Sequence, residues 1–160
     1  MTILKKLRDD VCGSMLIETA FVLPTLVMMS VAGIEVSSII VRQHELQSAV
    51  SRSAEILMAD PPGSSEEITA KAGEIETYLK TATGLGTRDT DGQATYIKVA
   101  KRYRCGNSSS YQTDKSGCTS GANVSTFIVI AIADEYTPIW AKLGWAEPMD
   151  YRILRTVQVS

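Results

Sequence analysis

The sequence predicts an α+β protein: a long N-terminal membrane-spanning helix that extends into a small head with a second helix and an antiparallel sheet of about three strands. Three observations carry this expectation. Thr19 to Ile34 is a run of sixteen uncharged, mostly apolar residues. Two stretches repeat their apolar residues at helical spacing. The remainder alternates with a period of two between segments rich in Gly, Ser and Pro. The 160 residues leave room for one ordinary domain. A net charge of −2 gives no pull toward nucleic acid. One histidine, His44, and three cysteines are a thin inventory for a metal site or a histidine-dependent catalytic centre. No cofactor and no metal are expected.

The chain opens on a polar leader, residues 1–13, in which Lys5, Lys6 and Arg8 outweigh Asp9 and Asp10. Gly13-Ser-Met-Leu-Ile-Glu18 closes it and leads into the apolar run, so Glu18 lies near the start of the membrane-entering helix. A carboxylate there costs about 2.5–3.5 kcal/mol on insertion scales, so it marks a functional site by default. The sixteen residues between Glu18 and Glu35 rise only about 24 Å as a helix. Val36 to Val41 bring the span, about residues 15–41, to a comfortable length. Glu18 then falls near one edge and Glu35 near the other. Positive charge before the span keeps the N-terminus cytoplasmic and places the rest outside the inner membrane. Two plainer readings compete: an uncleaved anchor, and a secretory signal peptide cut near Val31-Ala32-Gly33. Glu18 in the apolar region and the lack of an A-x-A-like site argue against the second.

Residues 14–58 read as one long helix. Beyond the span, Leu46, Val50, Ala54 and Leu57 form a stripe for the head to pack on, and Arg42, Gln43, Glu45, Gln47 and Arg52 take the other face. His44 belongs on the solvent side. Pro24 removes one hydrogen bond within the helix and marks a kink or a melted turn. Asp60-Pro61-Pro62-Gly63 is a hard stop, and residues 59–160 form the head. Ser64 and Glu67 make a capping-box pattern. Ile68, Ala72, Ile75, Leu79 and Ala82 continue as an amphipathic helix that Gly84 ends.

Thr95 to Cys105 alternates as a strand, with Ile97, Val99, Tyr103 and Cys105 on one face. Lys101 breaks the pattern, which suits a sheet edge. Residues 106–122 form a loop. Val124 to Tyr136 is apolar on both faces, as a central strand should be. Pro138 ends it. Ile139 to Glu147 connects to a last strand, Tyr151 to Val159, with Arg155 out of pattern.

Gly13, then Ser14 and Glu18, followed by Thr19-Ala20-Phe21-Val22-Leu23-Pro24 and by Arg42-Gln43 and Leu46-Gln47, resembles the TadE/TadF-like minor pilins of tight-adherence (Flp) pilus systems. The ending, a strand closing on Tyr136-Thr-Pro138, a loop and a last strand, is similar too. The motif covers about residues 13–50. The resemblance implies cleavage between Gly13 and Ser14 by a prepilin peptidase, with Glu18 at the fifth mature position. It also implies an inner-membrane, single-pass subunit with a periplasmic head, which joins or primes a pilus. Its partners would be other pilins and minor pilins, the prepilin peptidase, the inner-membrane assembly platform and membrane lipid. Thr19 stands where Tad major pilins carry tyrosine, and the chain is longer than those subunits, which favours a minor pilin.

The residues support such a role. Ser14 and Glu18 are i and i+4 on a helix, so they share a face. A new ammonium at Ser14 and the Glu18 carboxylate are far cheaper to bury together than apart. Such a pair would set the register of packed helices, whereas the plainer alternative is a glutamate that snorkels to the surface. Cys105 and Cys118, with twelve residues between them, fit a disulfide in an oxidising compartment. Cys12 goes with the leader. Asp89-Thr-Asp91-Gly92 lacks the further ligands of a calcium loop and reads as a turn. The triplets at Asn107 and Asn123 are chance. Trp140 and Trp145 are expected to close the core of the head, and they are also the best candidates for a contact surface. No nucleophile–base pair stands out, so the chain is expected to be no enzyme. The competing function is a permanently anchored periplasmic binding module.

Overall fold

The computed structural model describes residues 11–87, 94–119, 121–142 and 144–159. The leader before Val11, the Asp89–Gly92 segment and the side chains of Val11, Cys12 and Ser14 lie outside the described residues. In chain order the elements are α1 (Val11–Ala59), α2 (Ser65–Thr83), β1 (Tyr96–Cys105), a 3-10 turn (Lys115–Gly117), β2 (Val124–Tyr136), α3 (Ile139–Lys142) and β3 (Met149–Gln158). The expected fold class is borne out. The chain divides into two compact units between Ile40 and Val41.

The first unit is the apolar part of α1. The helix begins at Val11 rather than Ser14 and carries Gly13 within it. One glycine costs a helix only about 1 kcal/mol. The helix also runs unbroken through Pro24. Its hydroxyls bond inward to carbonyls one turn back: Thr25 Oγ1 donates to Phe21 O at 3.2 Å, Ser30 Oγ to Leu26 O at 2.9 Å and Ser38 Oγ to Ile34 O at 3.0 Å. These hydroxyls need no water for their donors, which is how polar side chains are tolerated in hydrocarbon.

The second unit begins at Val41 and holds the core. Leu46, Val50, Ala54 and Leu57 are all buried, as their spacing predicts, and Ala49 and Ser53 widen the stripe. His44 is exposed. After the Pro61-Pro62 turn, α2 opens on the expected capping box: Glu67 N–H donates to Ser64 Oγ at 3.1 Å, and Ser64 N–H donates to the Glu67 carboxylate at 3.3 Å. It closes on Gly84 at φ +72°, a left-handed position that favours glycine. Ile68, Ile75 and Leu79 are buried, but Ala82 is exposed. Thr83 takes the last core position, its hydroxyl donating to Leu79 O at 2.7 Å. A threonine can end a buried stripe because the backbone satisfies it.

Glu67 also accepts the Gly63 N–H at 2.9 Å. The backbone donors of Gly63 and Ser64 hold its carboxyl below the ordinary glutamate range. A depressed carboxylate stabilises above its unfolded pKa, and that contribution is lost as pH falls through the folded value. Glu67→Gln is therefore expected to weaken α2 at neutral pH and to match the parent under acid. Thermal melts of the two chains at pH 7 and pH 3 check this, and a constant difference across that range would contradict it.

The sheet order is β1-β2-β3 with both pairs antiparallel, so β2 is central and β1 an edge as expected. The register aligns Ile97 with Ile132 and Ile153, and Val99 with Ile130 and Arg155. On β2 the face carrying Thr126, Ile128, Ile130, Ile132 and Asp134 is wholly buried. Lys101 and Arg155, the two pattern breakers, share that face but sit on edge strands. Lys101 Nζ reaches Ser65 Oγ at 2.6 Å on the capping turn of α2. Inward charges on edge strands discourage pairing with another sheet.

The loop after β1 folds back along the same edge. Tyr103 and Gln112 exchange backbone hydrogen bonds of 2.9 and 2.8 Å. Tyr111 meets the opposite face of β2 edge-on, its ring 5.2 Å from that of Phe127. Cys105 and Cys118 form the disulfide that closes this loop, with Cα atoms 5.4 Å apart. Converting both to alanine is expected to lower stability by about 3 kcal/mol on the loop-entropy account. Urea unfolding of the whole chain in micelles measures it, and an unchanged midpoint would show the backbone pairing alone holds the loop.

Candidate functional site

The first candidate region is the start of α1. Met15, Leu16 and Phe21 are 73%, 73% and 76% exposed. Exposed apolar side chains continue along the helix through Leu23, Leu26, Val27, Met28, Met29 and Ile34. This helix is long and apolar enough to cross a membrane, and its most apolar window is unburied. Soluble monomers do not keep so continuous an apolar surface in water, and the length suits a bilayer. Glu18 sits within it. The carboxylate is exposed and lines a shallow groove with Met15, Thr19 and Val22. Thr19 turns its hydroxyl onto the Met15 carbonyl. Glu18 is thus a carboxylate on an apolar surface, one helical turn beyond Ser14. Glu35, placed by sequence at the far edge of the span, is buried.

The second region is the start of the head. Arg42 Nε donates to Asp134 Oδ2 at 2.7 Å, and its Nη2 donates to the carbonyl of Thr83 at 3.1 Å. The Asp134 side chain is 9% exposed and that of Arg42 27%. One guanidinium therefore ties together α1, the end of α2 and the last turn of β2. Asp134 also accepts the Glu135 N–H at 2.9 Å. Its neighbour across the sheet is Tyr151, whose phenol is pushed up by burial and further by the Asp134 charge, with Arg42 opposing. The spacing puts Arg42 on the face away from the apolar stripe, and its pairing with Asp134 is not foreshadowed by local spacing. A carboxylate inside an otherwise apolar central strand was the available signal, because a buried charge demands a partner.

The third region is the β2–β3 connector. Trp140 and Trp145 stack with ring centroids 6.0 Å apart and planes 8° from parallel. They do not close the core: Trp145 is 69% exposed and Trp140 half-buried, and Ile139 and Met149, close to them in sequence, are 53% and 43% exposed. The reason lies in the backbone. A single helical turn, α3, ends at Lys142, and Gly144 beyond it sits at φ +77°. Gly144 N–H donates to Ala141 O at 3.0 Å and Trp145 N–H to Trp140 O at 2.9 Å. This turn sets one indole on the other and leaves Trp145 outside, with Trp140 half-buried.

Residues 13–55 match the family model of TadE-like proteins. The match spans α1 from Gly13 to Glu55, including Glu18, Pro24 and Arg42, so the resemblance read from the sequence is borne out over that segment. No curated protein and no solved structure matches the chain.

Proposed function

We propose that this chain, TadE-like over residues 13–55, is a minor pilin or pseudopilin of a tight-adherence pilus. It inserts through α1 with its N-terminus cytoplasmic, is cut after Gly13 by a prepilin peptidase, and joins or primes the filament. The observation that carries this reading is the coincidence of the family match with a bare apolar helix bearing Glu18 at its start. The apolar surface serves twice, first against lipid and then against the helices of other pilins. Cleavage creates an ammonium at Ser14 one turn from Glu18, so the two charges can neutralise each other within a helix bundle. Pro24 supplies a weak point where α1 can bend on leaving the bilayer. The head stays periplasmic, where its disulfide is stable. Its partners are other pilins, the peptidase and the inner-membrane assembly platform.

Co-expression with a prepilin peptidase, followed by mass spectrometry of the N-terminus, tests the reading. The mature chain should begin at Ser14, and Gly13→Ala should leave the full-length form. A chain still beginning at Met1 beside an active peptidase would remove the pilin reading and favour a permanent anchor.

A further inference from the structure

The β2–β3 connector has no part in the processing and docking just described, and its position in the head is informative. Two sets of contacts set the direction of β2 against the lower part of α1. Asp134 lies level with Arg42. Further along, Gln47, Val50 and Ser51 border Ile153 to Arg155 of β3, which pair with Ile130 to Ile132. As α1 advances from residue 42 to residue 51, β2 is therefore traversed backward, from residue 134 toward residue 130. The strand runs antiparallel to the helix. Beyond Asp134 it continues for two residues, about 7 Å, toward the end of the head at which α1 enters. The connector emerges at that end. The covalent chain puts Arg42 one residue past Val41, where the apolar run closes.

We propose that the stacked Trp140–Trp145 pair, with Ile139 and Met149, is a second membrane contact that rests in the headgroup layer of the bilayer that α1 spans. Three features choose lipid as the occupant. The patch lies at the end of the head at which the chain enters, the end that carries Arg42. Indoles partition to the water–hydrocarbon boundary, where their polar N–H stays wet and the ring sits in the interface. The exposed charges of the connector, Lys142 and Glu147, oppose each other, so the attraction is apolar and takes neutral lipid. Lys142 is free to extend toward phosphate. The contact would hold the head against the membrane before assembly. It rests on the reading of α1 as a span.

The chain has only two tryptophans, and both lie in this patch, so intrinsic fluorescence reports on it alone. The whole chain is reconstituted into phosphatidylcholine vesicles carrying lipid brominated either near the headgroup or near the acyl terminus. The expected result is blue-shifted emission, strong quenching by shallow bromine, weak quenching by deep bromine, and protection from aqueous iodide. These should not change with protein-to-lipid ratio or with salt. Emission that ignores brominated lipid and is open to iodide overturns the proposal, as does protection that grows with protein density, which would mark a second copy as the occupant. Alkaline extraction of the same vesicles separates the two readings. A chain that stays in the membrane while its tryptophans escape lipid quenching loses this contact but keeps its span. A chain that is released loses both.

Discussion

Replacing Asp134 with alanine is expected to destabilise the head by about 2–4 kcal/mol, more than most single changes at a surface. The carboxylate is nearly buried and bonded to a guanidinium that also holds Thr83. Removing one partner of a buried pair costs about 3–5 kcal/mol, because the other charge is left without compensation. Arg42 keeps the Thr83 carbonyl and some water, which lowers that figure. Arg42→Met should cost less than Asp134→Ala where the aspartate can protonate. The double variant Arg42→Met with Asp134→Leu should recover much of the loss, since an apolar pair of similar volume needs no neutralisation.

Denaturant unfolding of the intact chain in micelles gives these differences. A loss below about 0.5 kcal/mol for Asp134→Ala would mean that the contact is a surface pair. A second readout comes from Tyr151. Its raised phenol contributes stability below the ordinary tyrosine pKa, and that contribution is lost as pH rises through the folded value. Without the Asp134 anion, and with Arg42 still present, tyrosine absorbance should titrate at lower pH than in the parent.

What the sequence discloses about this head follows the range of each interaction. The Leu46-Val50-Ala54-Leu57 stripe, the Ser64–Glu67 box, the Gly84 stop and the alternation of the three strands depend on residues a turn or a pleat apart. A periodic reading finds them. Cys105 and Cys118 are legible for a similar reason, since a short polar loop between them leaves few other ways to pair. Arg42 and Asp134 lie 92 positions apart, and nothing local to either residue announces the other. The tryptophans fail differently. Their size argues for burial, but a one-turn helix and a left-handed glycine decide where they point, and neither is strong in composition. Glu18 is legible from the sequence because its cost in hydrocarbon is a property of the residue and its surroundings alone.

Glu18→Ala is expected to leave membrane insertion and cleavage after Gly13 intact while reducing incorporation into pili by roughly a hundredfold or more. Alanine makes the apolar helix more apolar, so a defect cannot come from weaker anchoring. The deficit should arise when α1 moves from lipid, where Glu18 at the edge can reach water, into a bundle of helices. There the Ser14 ammonium created by cleavage would be buried with no carboxylate, an error worth about 3–5 kcal/mol. Each 1.4 kcal/mol is tenfold in an equilibrium.

Glu18→Gln discriminates the cause. It keeps the shape and a polar tip but removes the charge, so it should fail nearly as badly as alanine if ion pairing matters. Snorkelling requires only a polar end, so glutamine should then work almost as well as glutamate. The measurement is the amount of mature subunit in sheared surface filaments relative to the membrane pool. Equal incorporation of the parent and glutamine chains would leave Glu18 as a residue tolerated at the bilayer edge, and helix register would have to be set by the apolar side chains around it.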